Sequence, residues 1–190
     1  PGSDWLTRVT PMNFYPLISG APDEARAGKV LGWMFREDKF WGRWLLPSVA
    51  YDDPVWPQQT YWRGHIWPPA NYLLWQGIRR YAGQGKTAEY VRRNVDLFMR
   101  NWIDGRNCGE NYRSTDGGIG DDPHYTWGAL LCLIGLEAIA DAGPDLKPVL
   151  APEGQFAETI TLRRVPIGGR LYRIELSGGR ATAFLEPGSR

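Results

Sequence analysis

The chain has 190 residues, 43% of them apolar and 23% charged, with 22 basic and 21 acidic side chains and a net charge of +1. That fits one globular domain with at most a small appendage. So balanced a charge argues against a nucleic-acid partner, which needs a concentrated basic face, and no run of about 18 apolar residues suggests a membrane span.

The first residues, from Pro1 to Pro22, are rich in proline and glycine and read as a buried loop around Phe14, Tyr15, Leu17 and Ile18. No charged-then-apolar secretory pattern stands at positions 1–10, which leaves the compartment open with a lean toward the cytoplasm. A first helix is expected over 22–36. Pro22 opens it, Asp23 and Glu24 suit its positive end, and Ala25, Val30, Trp33 and Met34 mark an apolar face.

Residues 37–65 predict a long loop, because Pro47, Pro54 and Pro57 deny it regular structure. Phe40, Trp41, Trp44, Tyr51, Trp56, Tyr61 and Trp62 fall in it. So many aromatics argue against disorder, and a long ordered loop is usually functional. Helices are expected next over 68–82 and 86–103, stopped by Gly83 and Gly105. A second long loop follows, with Gly105, Gly109, Gly117, Gly118 and Gly120. The run over 124–142 is apolar almost all round and predicts a helix buried on most sides.

After Gly143-Pro144 the composition changes. Three β-type runs beyond residue 157, separated by Gly168-Gly169 and Gly178-Gly179, predict a small antiparallel sheet. The domain boundary on this reading lies at 143, with 1–143 helical and 144–190 a linker and β appendage. Each helix carries too much apolar surface for a lone four-helix unit, so the helical part reads as a piece of a larger helical toroid.

Ten tryptophans, nine tyrosines and six phenylalanines are a heavy aromatic load. Some of it must be core, but flat amphipathic faces also stack on sugar rings, and a buried indole needs a partner for its N–H. The densest string is Tyr61-Trp62-Arg63-Gly64-His65-Ile66-Trp67-Pro68, where a loop becomes a helix. Its indoles, Gly64 and the guanidinium of Arg63 could wall a polar, ring-shaped ligand; the plainer reading makes the indoles core and Arg63 an ion-pair partner.

Glu110 lies in the glycine-rich loop, where Asn111 and Tyr112 supply polarity, and a loop carboxylate on a rigid scaffold suits a general base. His124 and Trp127 follow at the next helix start, with Asp122 in capping position. Glycoside hydrolysis needs two carboxylic groups, about 6.5–9.5 Å apart in the inverting case. Asp52 and Asp53 are the other conceivable acids, though Asp-Asp-Pro is ordinary turn chemistry. Cys108 and Cys132 cannot build a disulfide framework and read as free thiols, and no C-x-x-C pair suggests zinc. Neither a metal nor a cofactor is expected.

The string Tyr61-Trp62-Arg63-Gly64…Trp67…Asn71-Tyr72, then Glu110-Asn111-Tyr112 and His124-Tyr125…Trp127, resembles glycoside hydrolase family 63 over residues 12–142. Leu46-Pro47-Ser48-Val49-Ala50-Tyr51-Asp52-Asp53-Pro54 and Phe14-Tyr15-Pro16-Leu17 are similar to that family's lead-in. His65 stands where the resemblance leads one to expect proline. The resemblance implies a mainly α fold, a partial (α/α)6 toroid of about four of its twelve helices, followed here by the small β segment.

It further implies an inverting, exo-acting α-glycosidase with Glu110 as general base. Tyr61, Trp62, Arg63, Gly64, Trp67, Tyr112, His124 and Trp127 would line the sugar site. The general acid would be an Asp upstream of this chain, so residues 1–190 alone would be inactive and would require the upstream part of the toroid. A non-catalytic carbohydrate-binding piece and a trehalase-like or debranching hydrolase are the competing readings.

Overall fold

The computed structural model describes residues 7–188. They form five α-helices and several small antiparallel sheets, and the chain divides into two compact units between Leu133 and Ile134. Composition changes later, at Gly143; helix α5 (Leu130–Ile139) runs across the division.

In the first unit, the expected loop around Phe14 contains a 3-10 turn, Pro11–Phe14, and a short helix α1, Pro16–Ser19. Gly20 ends α1 at φ 71°. Helix α1 lies against α3 (Pro68–Tyr81) because position 77 is glycine: a Cβ there would stand 2.6 Å from Leu17 Cβ. Helix α2 (Glu24–Met34) starts one residue after Asp23, whose carboxylate caps the Arg26 N–H at 2.8 Å. Its buried face is Ala27, Leu31 and Met34, not Ala25 and Trp33. Trp33 faces outward beneath the cations of Arg36 and Lys39, at 5.2 and 5.6 Å from its ring.

Helices α3 and α4 (Gln84–Gly105) are joined by Ala82 and Gly83 alone and form an αα-hairpin. Between them Asn71 donates to Asn94 Oδ1 at 2.7 Å, and the Tyr90 hydroxyl donates to Asn71 O at 2.7 Å. Gly105 is the last helical residue; the left-handed closing position is Arg106, at φ 53°. Leu73, Trp102 and Ile103 of this hairpin are exposed.

The helix expected over 124–142 is shorter. A 3-10 turn, Thr126–Ala129, leads into α5, and Ala140–Ala142 is strand β3, paired antiparallel with β4 (Pro148–Leu150). The Gly143 N–H donates to Lys147 O at 2.8 Å, so the chain reverses where the helical pattern alone would have continued.

The second unit holds the expected sheet, in the order β5 (Ile160–Ile167), β6 (Arg170–Ser177), β7 (Arg180–Leu185). Gly168-Gly169 and Gly178-Gly179 form its two-residue hairpins, all four at positive φ. A bulge interrupts β5 after Leu162, with Arg164 at φ 56°. Ile139, Ala140, Ile167 and Ile174 form the buried centre, with Leu150, Ile160 and Val165 packed on it. No helix among the described residues is long and apolar enough to cross a membrane.

Candidate active site

Two irregular segments of the first unit, residues 35–67 and 106–125, come together through a two-residue ladder. Strand β1 (His65–Ile66) pairs antiparallel with β2 (Tyr112–Arg113), with His65 opposite Arg113 and Ile66 opposite Tyr112. Side chains extend the seam. Trp56 Nε1 donates to Ser114 Oγ at 2.8 Å, and the Ser114 N–H donates to Gln59 Oε1 at 3.1 Å. Ser48 ties the ladder from behind, its Oγ accepting the Gly64 N–H at 3.0 Å and its own N–H reaching His65 O at 2.8 Å.

Glu110 sits just before β2, fixed on both sides by its backbone. Its N–H donates to Asp122 O at 2.8 Å, and its carbonyl accepts from Trp127 Nε1 at 2.6 Å. Gly128 permits this closeness, since a Cβ there would stand 2.6 Å from Gly109 O. The Glu110 side chain is half-buried and makes no hydrogen bond or ion pair among the described residues. The Trp127 ring lies 6.0 Å from Trp67, edge to face, and Tyr125 flanks it at 4.5 Å. The Glu110 loop and the aromatic string thus meet on one indole.

The string itself is layered. The rings of Trp62 and Trp67 stack 4.0 Å apart and within 4° of parallel. Trp67 is 3% exposed and Trp62 43%, so the outer of the two indoles meets solvent. Tyr61 lies edge-on to Trp67 at 4.9 Å on a tight turn in which Thr60 and Arg63 exchange backbone hydrogen bonds, and its φ is 48°. Arg63 is exposed and donates to Gln58 Oε1 at 2.8 Å. Gly64 is buried at φ 114°, with no room for a Cβ beside Trp56 O.

Tyr112 is fully buried, its hydroxyl accepting the Gly109 N–H at 3.0 Å, and burial pushes its phenol up to about 12. It is a strut of the loop. His124 is exposed, its N–H held by Asp122 Oδ1 at 2.8 Å; Asp122 thus closes a local turn and is not the helix cap expected of it, because the helical residues begin later, at Thr126, after Tyr125. Asp52 pairs with Lys39, and Asp53 accepts the Val55 N–H at 2.9 Å and meets Arg8 at 3.2 Å; local structure engages both acids. Cys108 and Cys132 are free, and no three His, Cys, Asp or Glu side chains among the described residues group as a metal would need.

The residues that sequence reasoning missed are the polar links of the seam: Ser48, Gln59 and Ser114. Their one signal in the sequence is that they are small or amide side chains, Ser48 and Gln59 inside the aromatic-rich stretch and Ser114 in the glycine-rich loop after Tyr112, which a buried seam has to satisfy.

Residues 2–128 match the family described as the mannosylglycerate hydrolase MGH1-like glycoside hydrolase domain. Mannosylglycerate hydrolase MGH1 of Selaginella moellendorffii is 29% identical over 136 residues, 68% of this chain and 25% of that protein. The mannosylglycerate hydrolase of Thermus thermophilus is 31% identical over 127 residues, 65% of this chain and 28% of that one. The crystal structure of a GH63 mannosylglycerate hydrolase from Thermus thermophilus in complex with glucose superposes with a TM-score of 0.59 at 28% identity, covering 70% of this chain and 30% of that one. The chain thus spans about a quarter of the length of the curated relatives it matches. It belongs to the MGH1-like glycoside hydrolases, within family GH63.

Proposed function

We propose that the protein hydrolyses an α-mannoside or α-glucoside, mannosylglycerate first among the substrates to try, by an inverting exo-acting mechanism. Residues 1–143 serve as the C-terminal part of an (α/α)6 toroid, whose remaining helices cover Leu73, Trp102 and Ile103. Glu110 is the general base. Its carboxylate takes a proton from the water that attacks the anomeric carbon, while an Asp outside this chain protonates the leaving oxygen. The exposed face of Trp62 stacks on the sugar, with Tyr61, Arg63 and Trp127 beside it and His124 at the margin. Trp67, Gly64 and Tyr112 hold that surface from beneath.

The observation that carries this reading is the Trp127 indole, which donates to Glu110 O at 2.6 Å while its ring lies against Trp67. It gives the free carboxylate and the aromatic surface one shared support. The test is E110Q in the full-length protein. Gln keeps the shape but cannot take the proton, so turnover should fall by about 10²–10⁴-fold with little change in binding. NMR of the fresh product should show the inverted anomer. Unchanged turnover in E110Q would assign the base elsewhere, and sugar binding without hydrolysis by the full-length wild type would favour the binding-module reading.

A further inference from the structure

His65 is 3% exposed and has no part in the reaction just proposed, yet both of its ring nitrogens are engaged. Nε2 lies 2.6 Å from Gln59 O. A carbonyl only accepts, so Nε2 bears hydrogen. Nδ1 lies 2.7 Å from Asn111 Oδ1. The orientation of that amide is set by its other end, since Asn111 Nδ2 donates to Asp121 Oδ2 at 2.7 Å and a carboxylate cannot donate back. Nδ1 therefore faces an oxygen as well, and both contacts are satisfied only by the imidazolium form of the ring, which carries hydrogen on both nitrogens. Asp121 Oδ2 lies 3.6 Å from Nδ1, a charge beside the ring and not a second hydrogen bond.

The surrounding backbone is shaped to this contact. The Gly120 N–H donates to Asn111 O at 3.0 Å, and a Cβ at Gly120 would fall 2.2 Å from Asn111 Oδ1 and 2.6 Å from His65 Nδ1. Asn111 follows Glu110 directly. Trp127 and Asp122 hold the peptide groups of Glu110, and the side chain of Asn111 is the next anchor along the chain.

We propose that His65 is a positioning residue for Glu110: by donating from Nδ1 to Asn111 Oδ1 it locks the residue after the base and so fixes the direction in which the Glu110 carboxylate leaves the loop. This rests on the reading of Glu110 as base. Proline at position 65 would offer no such donor, so the clamp belongs to chains that carry histidine there.

Two substitutions separate the two ring nitrogens. H65N places an amide N–H near the position of Nδ1 and keeps the donor to Asn111. H65Q places it near Nε2 and keeps only the contact to Gln59 O. In the full-length protein acting on mannosylglycerate, H65Q should lower kcat by about tenfold to a hundredfold, the scale of a small misplacement of a reacting group, with KM within about twofold. H65N should stay within about threefold of wild type.

Equal losses in both variants, or no loss in either, would overturn the proposal while leaving E110Q to judge the base. If the variants fail to fold, or if E110Q proves active, the ring ¹⁵N spectrum of the full-length wild-type protein decides, with the His65 signals assigned by their absence in H65Q or, failing that, by their coupling to the Asn111 side chain. A protonated Nδ1 with a hydrogen-bonded shift is expected, and an unprotonated Nδ1 would overturn the clamp.

Discussion

The two segments that build the candidate site are immobilised by different physics. Residues 35–67 are held chiefly by burial: Phe40, Trp41, Trp44, Leu45, Leu46, Val49 and Ala50 are all core. The backbone there even accepts a left-handed Leu46, at φ 59°, a conformation costing about 1–2 kcal/mol, because the side chain is fully buried. Residues 106–125 bury little apolar surface beyond Tyr112. They fold back on themselves through backbone bonds, Arg113 N–H to Gly118 O at 2.8 Å and Gly120 N–H to Asn111 O at 3.0 Å, and through an Arg113 guanidinium that reaches Ile119 O. Bulk fixes the aromatic segment, and directional bonds with close glycine contacts fix the one that carries the carboxylate. Volume changes should harm the first, and added atoms or lost donors the second.

Trp44→Ala should break the comparison most visibly. Trp44 is buried in the first segment, and its ring fills the space above Gly117 of the second, where a Cβ would lie 2.6 Å from Trp44 Cε2. Truncation should cost about 3–5 kcal/mol, read as a lower urea midpoint, and loosen both segments together. An unchanged midpoint would mean that burial is not what holds residues 35–67.

Gly120→Ala is the reciprocal change. It removes no contact and adds one methyl against Asn111 and His65, for an expected loss of about 1–3 kcal/mol in stability. Its kcat should fall by more than its stability loss explains, whereas Trp44→Ala should lower the folded fraction more than the turnover of what remains folded. Equal kcat in Gly120→Ala and wild type would separate the glycine contact from the site.

Alkali sharpens the contrast between the half-buried Tyr51 and the fully buried Tyr112. Burial raises both Tyr51 and Tyr112, Tyr112 to about 12 and Tyr51 further. The Tyr51 hydroxyl donates to Trp44 O, a bond lost on ionisation, whereas the Tyr112 hydroxyl accepts from the Gly109 N–H, a bond a phenolate keeps. Folded pKa values above 10 mean that the unfolded chain releases these protons first. The stability tied to Tyr112 is therefore whole below about pH 10 and lost as the pH rises to about 12. Absorbance titration should show Tyr112 ionising before Tyr51, and the opposite order would contradict these bond directions.

Trp62→Ala should be the mildest to the fold. The indole is 43% exposed and rests on Trp67, a stack worth about 0.5–1.5 kcal/mol. Its larger effect should be a raised KM with kcat nearly kept; a kcat loss as deep as that of E110Q would place Trp62 in the chemistry instead.

The helical hairpin was legible because α3 and α4 repeat apolar residues at helical spacing, and the β5–β7 sheet because each Gly-Gly pair marks a reversal that only glycine adopts freely. Strand β3 was not. Ile139 and Ala140 continue a helical pattern, and the switch to a strand is made by Pro148–Leu150, further along the chain. Glu110 and Trp127 were both legible as site candidates. The bond between them was not, because it uses the carbonyl of Glu110, and every residue has a carbonyl. His65 was invisible as a clamp for a related reason: its partners stand at 111 and 121, and only the ladder of β1 on β2 brings them within reach.

That the anchors of Glu110 are its own peptide groups has a consequence for engineering. The loop is a socket that specifies a place in space and is indifferent to what occupies it. Asp, Ser or Cys at 110 would present a shorter acid, an alcohol or a thiol from the same Cα, beside the same indole, without asking the scaffold to reform. On the proposed reading of Glu110 as base, position 110 is therefore a place where the reaction can be rewritten at little cost to the architecture.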